Sequence, residues 1–196
     1  MFTGFNNPSG LVRLVEDHGS QFRTGMFHAF SEHGLSPRLN MLREKLTGRD
    51  SPWLAATAWP GIPRPERLEP AQPYDGQLVF AWHGGTASKS AMQLLQLNLS
   101  TAPSLAGRSC YFAVKAAITS SGAGLALMVD RGDGQVALSS DSDDASGQWR
   151  MFSTQATLLT SGVARFGVQV FGASAAAQVA TAVVAPVGVH YADAEE

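Results

Sequence analysis

The sequence holds a single cysteine, Cys110, so it can form no internal disulfide, and a C-x-x-C zinc or redox pair is absent. Charge is scarce as well. Charged residues make up 15% of the chain, against about a quarter in an average globular protein. The net charge of -2 comes without any basic stripe, which leaves little to attract a phosphate backbone and argues against nucleic acid as a partner. No apolar run reaches the ~18 residues that a membrane-spanning helix needs, so membrane insertion is not expected. The N-terminus lacks a basic stretch followed by an apolar one; no export signal is read, and synthesis in the cytoplasm is expected. The G-x-S-x-G elbow, the H-E-x-x-H helix and the P-loop are all missing. Disorder is excluded for most of the length by a 44% hydrophobic content. A chain of 196 residues can bury about 70% of its extended surface and needs no staple to fold.

Proline, by contrast, is concentrated. Six of the ten prolines fall between positions 52 and 73. Each fixes φ, removes a donor and pushes its predecessor towards extended conformations. The pattern predicts a semi-rigid connector over 51–74 that separates a segment 1–50 from a domain 75–196. Residues 1–50 read as short helices. The clearest runs from Ser36, an N-cap type, through Pro37 to Gly48, with Leu39, Leu42 and Leu46 on one narrow stripe. Helices this small bury little apolar surface alone, so the segment is expected to dock on other proteins or on copies of itself, with a trimer as one form.

After the connector the hydrophobic period changes to two. Strand-like runs occupy 78–82, 91–99, 110–118, 124–130, 134–140, 148–155, 163–171 and 176–189, with Gly, Asp, Ser and Pro clusters between them. Eight short strands with turn signals between them predict a mainly β protein, a sandwich or barrel, behind a small N-terminal α-helical segment. Alternation assigns faces. In 110–118, Phe112, Val114, Ala116 and Ile118 point one way, with Tyr111 and Lys115 opposite. In 163–171, Ala164, Phe166, Val168 and Val170 face the core, leaving Arg165 and Gln169 on the other side.

Two runs carry a family resemblance. Leu105–Ala116 (LAGRSCYFAVKA) resembles a recurrent central strand of carbohydrate-binding-module-like jelly rolls, and Gly147–Leu158 (GQWRMFSTQATL) is similar to their G-x-W strand, followed here by Val163–Val170. Such jelly rolls occur in secreted glycosidases and in the fibres and spikes of bacteriophages and phage-derived gene-transfer particles. The resemblance implies a jelly-roll β-sandwich, and a helical anchor, a stalk and a head that binds cell-surface polysaccharide for host adhesion, assembled on a virion-type particle. Its N-terminal segment would contact other particle proteins.

The remaining chemistry is thin. Paired carboxylates could serve a polysaccharide-degrading enzyme, but the acids of the predicted sandwich cluster in turns and the tail, so catalysis is disfavoured and no catalytic residue or cofactor is assigned. The five histidines are scattered. Asp141, Asp143 and Asp144 could offer oxygens to calcium, though a solvated turn is the plainer reading. Asp130–Gly134 (DRGDG) reads as a hairpin turn. Sugar recognition needs aromatic faces and polar groups on rigid strands. Trp59, Trp82 and Trp149 are candidates by type; alternation puts Trp82 and Trp149 in the core, and the candidate carbohydrate-binding set is Tyr111, Lys115, Arg165 and Gln169. The competing function is a purely structural adaptor or decoration subunit.

Overall fold

Period-two alternation is realised as two stacked sheets. The computed structural model describes residues 41–42, 51–74, 77–142 and 147–187. In chain order these form α1 (Pro52–Ala55), β1 (Thr57–Ala58), β2 (Arg67–Tyr74), β3 (Gln77–His83), β4 (Lys89–Asn98) and β5 (Ser109–Ile118). They continue with β6 (Gly124–Asp130), β7 (Val136–Ser142), β8 (Arg150–Thr157), β9 (Val163–Phe171) and β10 (Ala176–Pro186). The first sheet runs β1-β4-β9-β6-β7 and the second β2-β3-β10-β5-β8. Every pairing is antiparallel. The mainly β sandwich expected from the sequence is therefore present.

The core fills from alternate positions, as the parity of β5 and β9 predicts. Ala164, Phe166, Val168 and Val170 of β9 share one buried cluster with Phe112, Val114, Ala116 and Ile118 of β5. Phe112 and Phe166 meet edge to face across the sandwich at 5.7 Å, an arrangement that ring quadrupoles favour. Trp82 is buried in the same cluster, and its indole N–H donates to Ser90 Oγ at 2.9 Å, which satisfies both polar groups in the interior.

The segment 51–74 corrects the predicted connector. It is part of the sandwich. Ser51 caps α1, accepting from the Trp53 amide at 3.3 Å, and Pro52 occupies the first turn, where its missing donor costs nothing. Trp53 inserts into the core and meets Trp82 edge to face at 6.4 Å. Its indole N–H donates to the Ala180 carbonyl, beside the bulge that shifts the β5–β10 register between Val179 and Ala182. β1 pairs with β4, and β2 pairs with β3 over most of its length. Prolines mislead here because both strands are sheet edges, where a residue without a donor is tolerated. The sandwich thus includes residues on the N-terminal side of 75.

Within the predicted helix 37–47 only Met41 and Leu42 lie among the described residues, and they form a turn. The Met41 amide donates to the Val184 carbonyl of β10 at 2.7 Å, and Leu42 is fully buried in the core cluster. The remaining calls for 1–50, and the sequence beyond 187, lie outside the described residues.

Candidate functional site

The four residues predicted as one sugar-binding set do not come together. Tyr111 and Lys115 stand on β5 of the second sheet, Arg165 and Gln169 on β9 of the first. All four have the outward parity assigned to them, so they project from opposite sides of the sandwich. Parity fixes a face relative to its own sheet and says nothing about which sheet a strand joins.

The outer face of the second sheet has a buried apolar patch with polar neighbours: Gln155 and Ser153 of β8, paired with Tyr111 and Ala113, are exposed, and Lys115 stands opposite Met151. Tyr111 is 4% exposed and packs with Ala113, Val183 and Ala185, flanked by Met151 and Val187. Tyr111 and Lys115 both have interactions within the protein. Trp149, expected in the core, is half-buried in the irregular segment before β8 and stacks on Tyr74 at 4.7 Å and 19°. It shares the parity of Met151, which places it on the outer side, whereas Phe152 points into the core.

The outer face of the first sheet is different. Cross-strand register builds it row by row. One row aligns Thr57 of β1, Gln93 of β4, Gly167 of β9, Met128 of β6 and Leu138 of β7. The next aligns Ala91, Gln169 and Ala126. Another aligns Gln96, Arg165, Asp130 and Val136. Three carboxamides and an ion pair therefore share this face. The Gln93 amide nitrogen donates to Thr57 Oγ1 and to Gln96 Oε1, both at 3.2 Å. The bulge between Gln93 and Leu95 puts Gln93 and Gln96 on the same side, although three positions separate them.

Two aromatic rings lie on this face, each against a glycine. A Cβ on Gly167 would stand 2.6 Å from the Trp59 ring and 2.5 Å from the Met92 carbonyl oxygen, so only glycine lets the indole rest on the sheet. Trp59 packs there with Ala91, Met128 and Ile62, held by the 59–63 loop, whose Pro63 carbonyl accepts from the Ala91 amide at 2.9 Å. At the other end the Phe171 ring covers Gly124. On the far side, the edge strand β7 leaves Leu138 56% exposed.

Arg165 and Gln169 play separate parts. The Arg165 Nη1 donates to Asp130 Oδ2 at 2.7 Å, while Asp130 Oδ1 accepts from the Gly132 and Gly134 amides at 2.9 and 3.0 Å. The pair thus ties β9 to the β6–β7 turn, the turn predicted for Asp130–Gly134. Arg165 Nε is buried without a partner. Gln169 is 8% exposed and lies between Ala91 and Ala126 in the cross-strand register.

Among the described residues no group of three or more His, Cys, Asp or Glu could hold a metal ion. Asp141, Asp143 and Asp144, read from the sequence as a solvated turn with calcium as the alternative, lie outside the residues whose side chains are described. No helix among the described residues is long and apolar enough to cross a membrane. Sequence reading missed Gln93 and Gln96 because strict alternation would send them to opposite faces; the irregular spacing in AMQLLQLNL was the available signal.

No protein-family model matches the chain, and no curated protein does. Solved structures do. The C-terminal family 22 carbohydrate-binding module of Clostridium thermocellum Xyn10B is similar at 15% identity and a TM-score of 0.51, with 78% of this chain and 98% of that one covered. Its study concerns residues in the cleft of that module in ligand binding. A family 22 xylan-binding domain covers 76% of this chain and 94% of its own at 16% identity and a TM-score of 0.49. A xylan-binding domain of Paenibacillus barcinonensis Xyn10C covers 68% and 86% at 17% identity and a TM-score of 0.45. The likeness is one of fold.

Proposed function

We propose that this chain is a non-enzymatic carbohydrate-binding protein whose site is the outer face of the first sheet. One observation carries the reading: that face gathers the carboxamides of Gln93, Gln96 and Gln169, with the Trp59 ring over Gly167 beside Gln93 and the Phe171 ring beyond Gln169. Carboxamides offer a donor and an acceptor side by side, which suits the hydroxyls of a sugar. Aromatic rings supply flat apolar surface for its C–H faces. Arg165 is engaged by Asp130 and shapes the end of the face. The sandwich likeness to a carbohydrate-binding module supports the same reading at the level of fold.

The setting we propose is a phage-type fibre or spike that holds the surface polysaccharide of a cell, with self-association through residues 1–50. Its support is the resemblance of the strand runs in the sequence. The full chain is tested by affinity electrophoresis in gels containing xylan, galactan or capsular polysaccharide. Gln93→Ala and Gln169→Ala are expected to weaken retardation about tenfold each, which corresponds to ~1.4 kcal/mol. Lys115→Ala on the opposite face is expected to leave it unchanged. Retardation lost in Lys115→Ala and kept in Gln169→Ala would move the site to the second sheet. Absence of retardation in every gel would overturn the carbohydrate reading and favour the structural adaptor.

A further inference from the structure

β7 is an edge of the first sheet; among the described residues it pairs with β6 alone. An edge strand leaves alternate backbone N–H and C=O groups without a ladder partner, and sheets guard such edges with proline, charge or brevity. The four edges of this sandwich differ. β1 is two residues long. β2 carries Pro70 and Pro73 together with the Arg67–Glu69 ion pair at 3.3 Å. On β8 the exposed residues Ser153, Gln155 and Thr157 are all polar. β7 has none of these features over 134–140, a run without charge or proline, and it leaves Val136 and Leu138 41% and 56% exposed on the outer side.

This run is complementary to itself. In an antiparallel pairing of two copies about Ala137, Val136 of each copy faces Leu138 of the other, and Gln135 faces Ser139. Both exposed apolar side chains thus gain an apolar partner in each copy, and such cross-strand pairs are what stabilise a sheet. Asp133 comes opposite position 141 at each end of the ladder, where Arg131, 3.7 Å from Asp133, offsets the charge. We infer that β7 pairs antiparallel with β7 of a second copy of this chain, joining their first sheets into one of ten strands. Backbone hydrogen bonds supply the attraction, and the two Val136–Leu138 pairs set the register. A two-fold axis normal to the sheet relates the copies, so both outer faces point the same way. The pairing stands independently of the carbohydrate reading. Where both hold, two carboxamide faces lie side by side along one polymer and bind it with avidity.

Sedimentation of the full chain over a concentration series is expected to show a larger assembly for the parent than for Leu138→Lys. That variant places a charge in each apolar pair and is expected to raise the dissociation constant about tenfold or more. Its thermal midpoint is expected to match the parent's, because the side chain is exposed. Ala137→Cys sets two cysteines opposite each other on the two-fold axis, and air oxidation is expected to join them in a disulfide-linked dimer. Leu54→Cys, exposed on α1, is expected not to cross-link, and the native Cys110 is 0% exposed and stays out of the reaction. Equal assembled mass for the parent and Leu138→Lys overturns the pairing, since an association held by residues 1–50 alone would give that result. An Ala137→Cys chain that forms no disulfide, or one that cross-links no better than Leu54→Cys, overturns it as well.

Discussion

Trp53 gives the sharpest test of whether 51–74 is a spacer or part of the sandwich. Its side chain is 1% exposed, packs edge to face on Trp82 and donates its indole N–H to the Ala180 carbonyl. Trp53→Ala removes the whole ring from a packed interior, and such truncations cost about 3–5 kcal/mol. Trp53→Phe keeps most of the apolar contact but leaves the Ala180 carbonyl without its partner beside the bulge, which costs about 1–3 kcal/mol. Against a total stability of roughly 5–15 kcal/mol, the first change consumes a large share. Leu54, next in the chain and 60% exposed, is the internal control, because exposed substitutions usually fall within about 0.5 kcal/mol. Urea unfolding followed by circular dichroism would rank the variants Trp53→Ala, Trp53→Phe, Leu54→Ala from least to most stable. A midpoint for Trp53→Ala within error of Leu54→Ala would refute the placement of this segment in the core.

Gly167→Ala forces a methyl against the Trp59 ring and the Met92 carbonyl, and is expected to lower stability by about 1–3 kcal/mol in thermal unfolding and to weaken polysaccharide retardation with it. Asp130→Asn removes the charge facing Arg165, whose side chain is 26% exposed, and is expected to cost about 1–2 kcal/mol in urea unfolding. Burial pushes the Cys110 thiol up from 9.0 to about 12. The unfolded chain therefore ionises first, so stability is fully present below pH 9 and falls by ~1.4 kcal/mol for each unit above it, up to about pH 12. Unfolding midpoints at pH 8, 9.5 and 10.5 check the slope in a comparison with Cys110→Ala, which is expected to flatten it.

Strand positions were legible because their ends are chemically marked. β6 and β9 run over 124–130 and 163–171, as the alternation and the flanking Gly and Ser clusters predict. The same local logic failed over 51–74. A proline reports that one donor is missing, and an edge strand makes no use of half its donors. Rarity of hydrogen-bonding capacity and membership of a sheet are compatible at an edge, so composition alone could not separate spacer from strand. What did distinguish them was Trp53 and Trp59, two large rings with few neighbours of their own in the segment, which had to find cover elsewhere.

The site was harder to read because it depends on sheet membership. Arg165 and Gln169 share a face with each other, four residues apart on one strand, and this was legible from β9 alone. Tyr111 and Lys115 have the same outward parity on β5, yet β5 lies beside β8 and β10 while β9 lies between β4 and β6. Only the long-range register tells the two apart, and it places Ala91 and Ala126, not Tyr111, beside Gln169. Composition separates the two outer faces only in part: around the buried Tyr111, Ala113, Val183 and Ala185, the second sheet also presents Lys115, Ser153 and Gln155. On the first sheet the bulge in β4 and the register with β9 gather Gln93, Gln96 and Gln169 on one side, a grouping that strict alternation along either strand does not give, which is why it was not legible from the sequence.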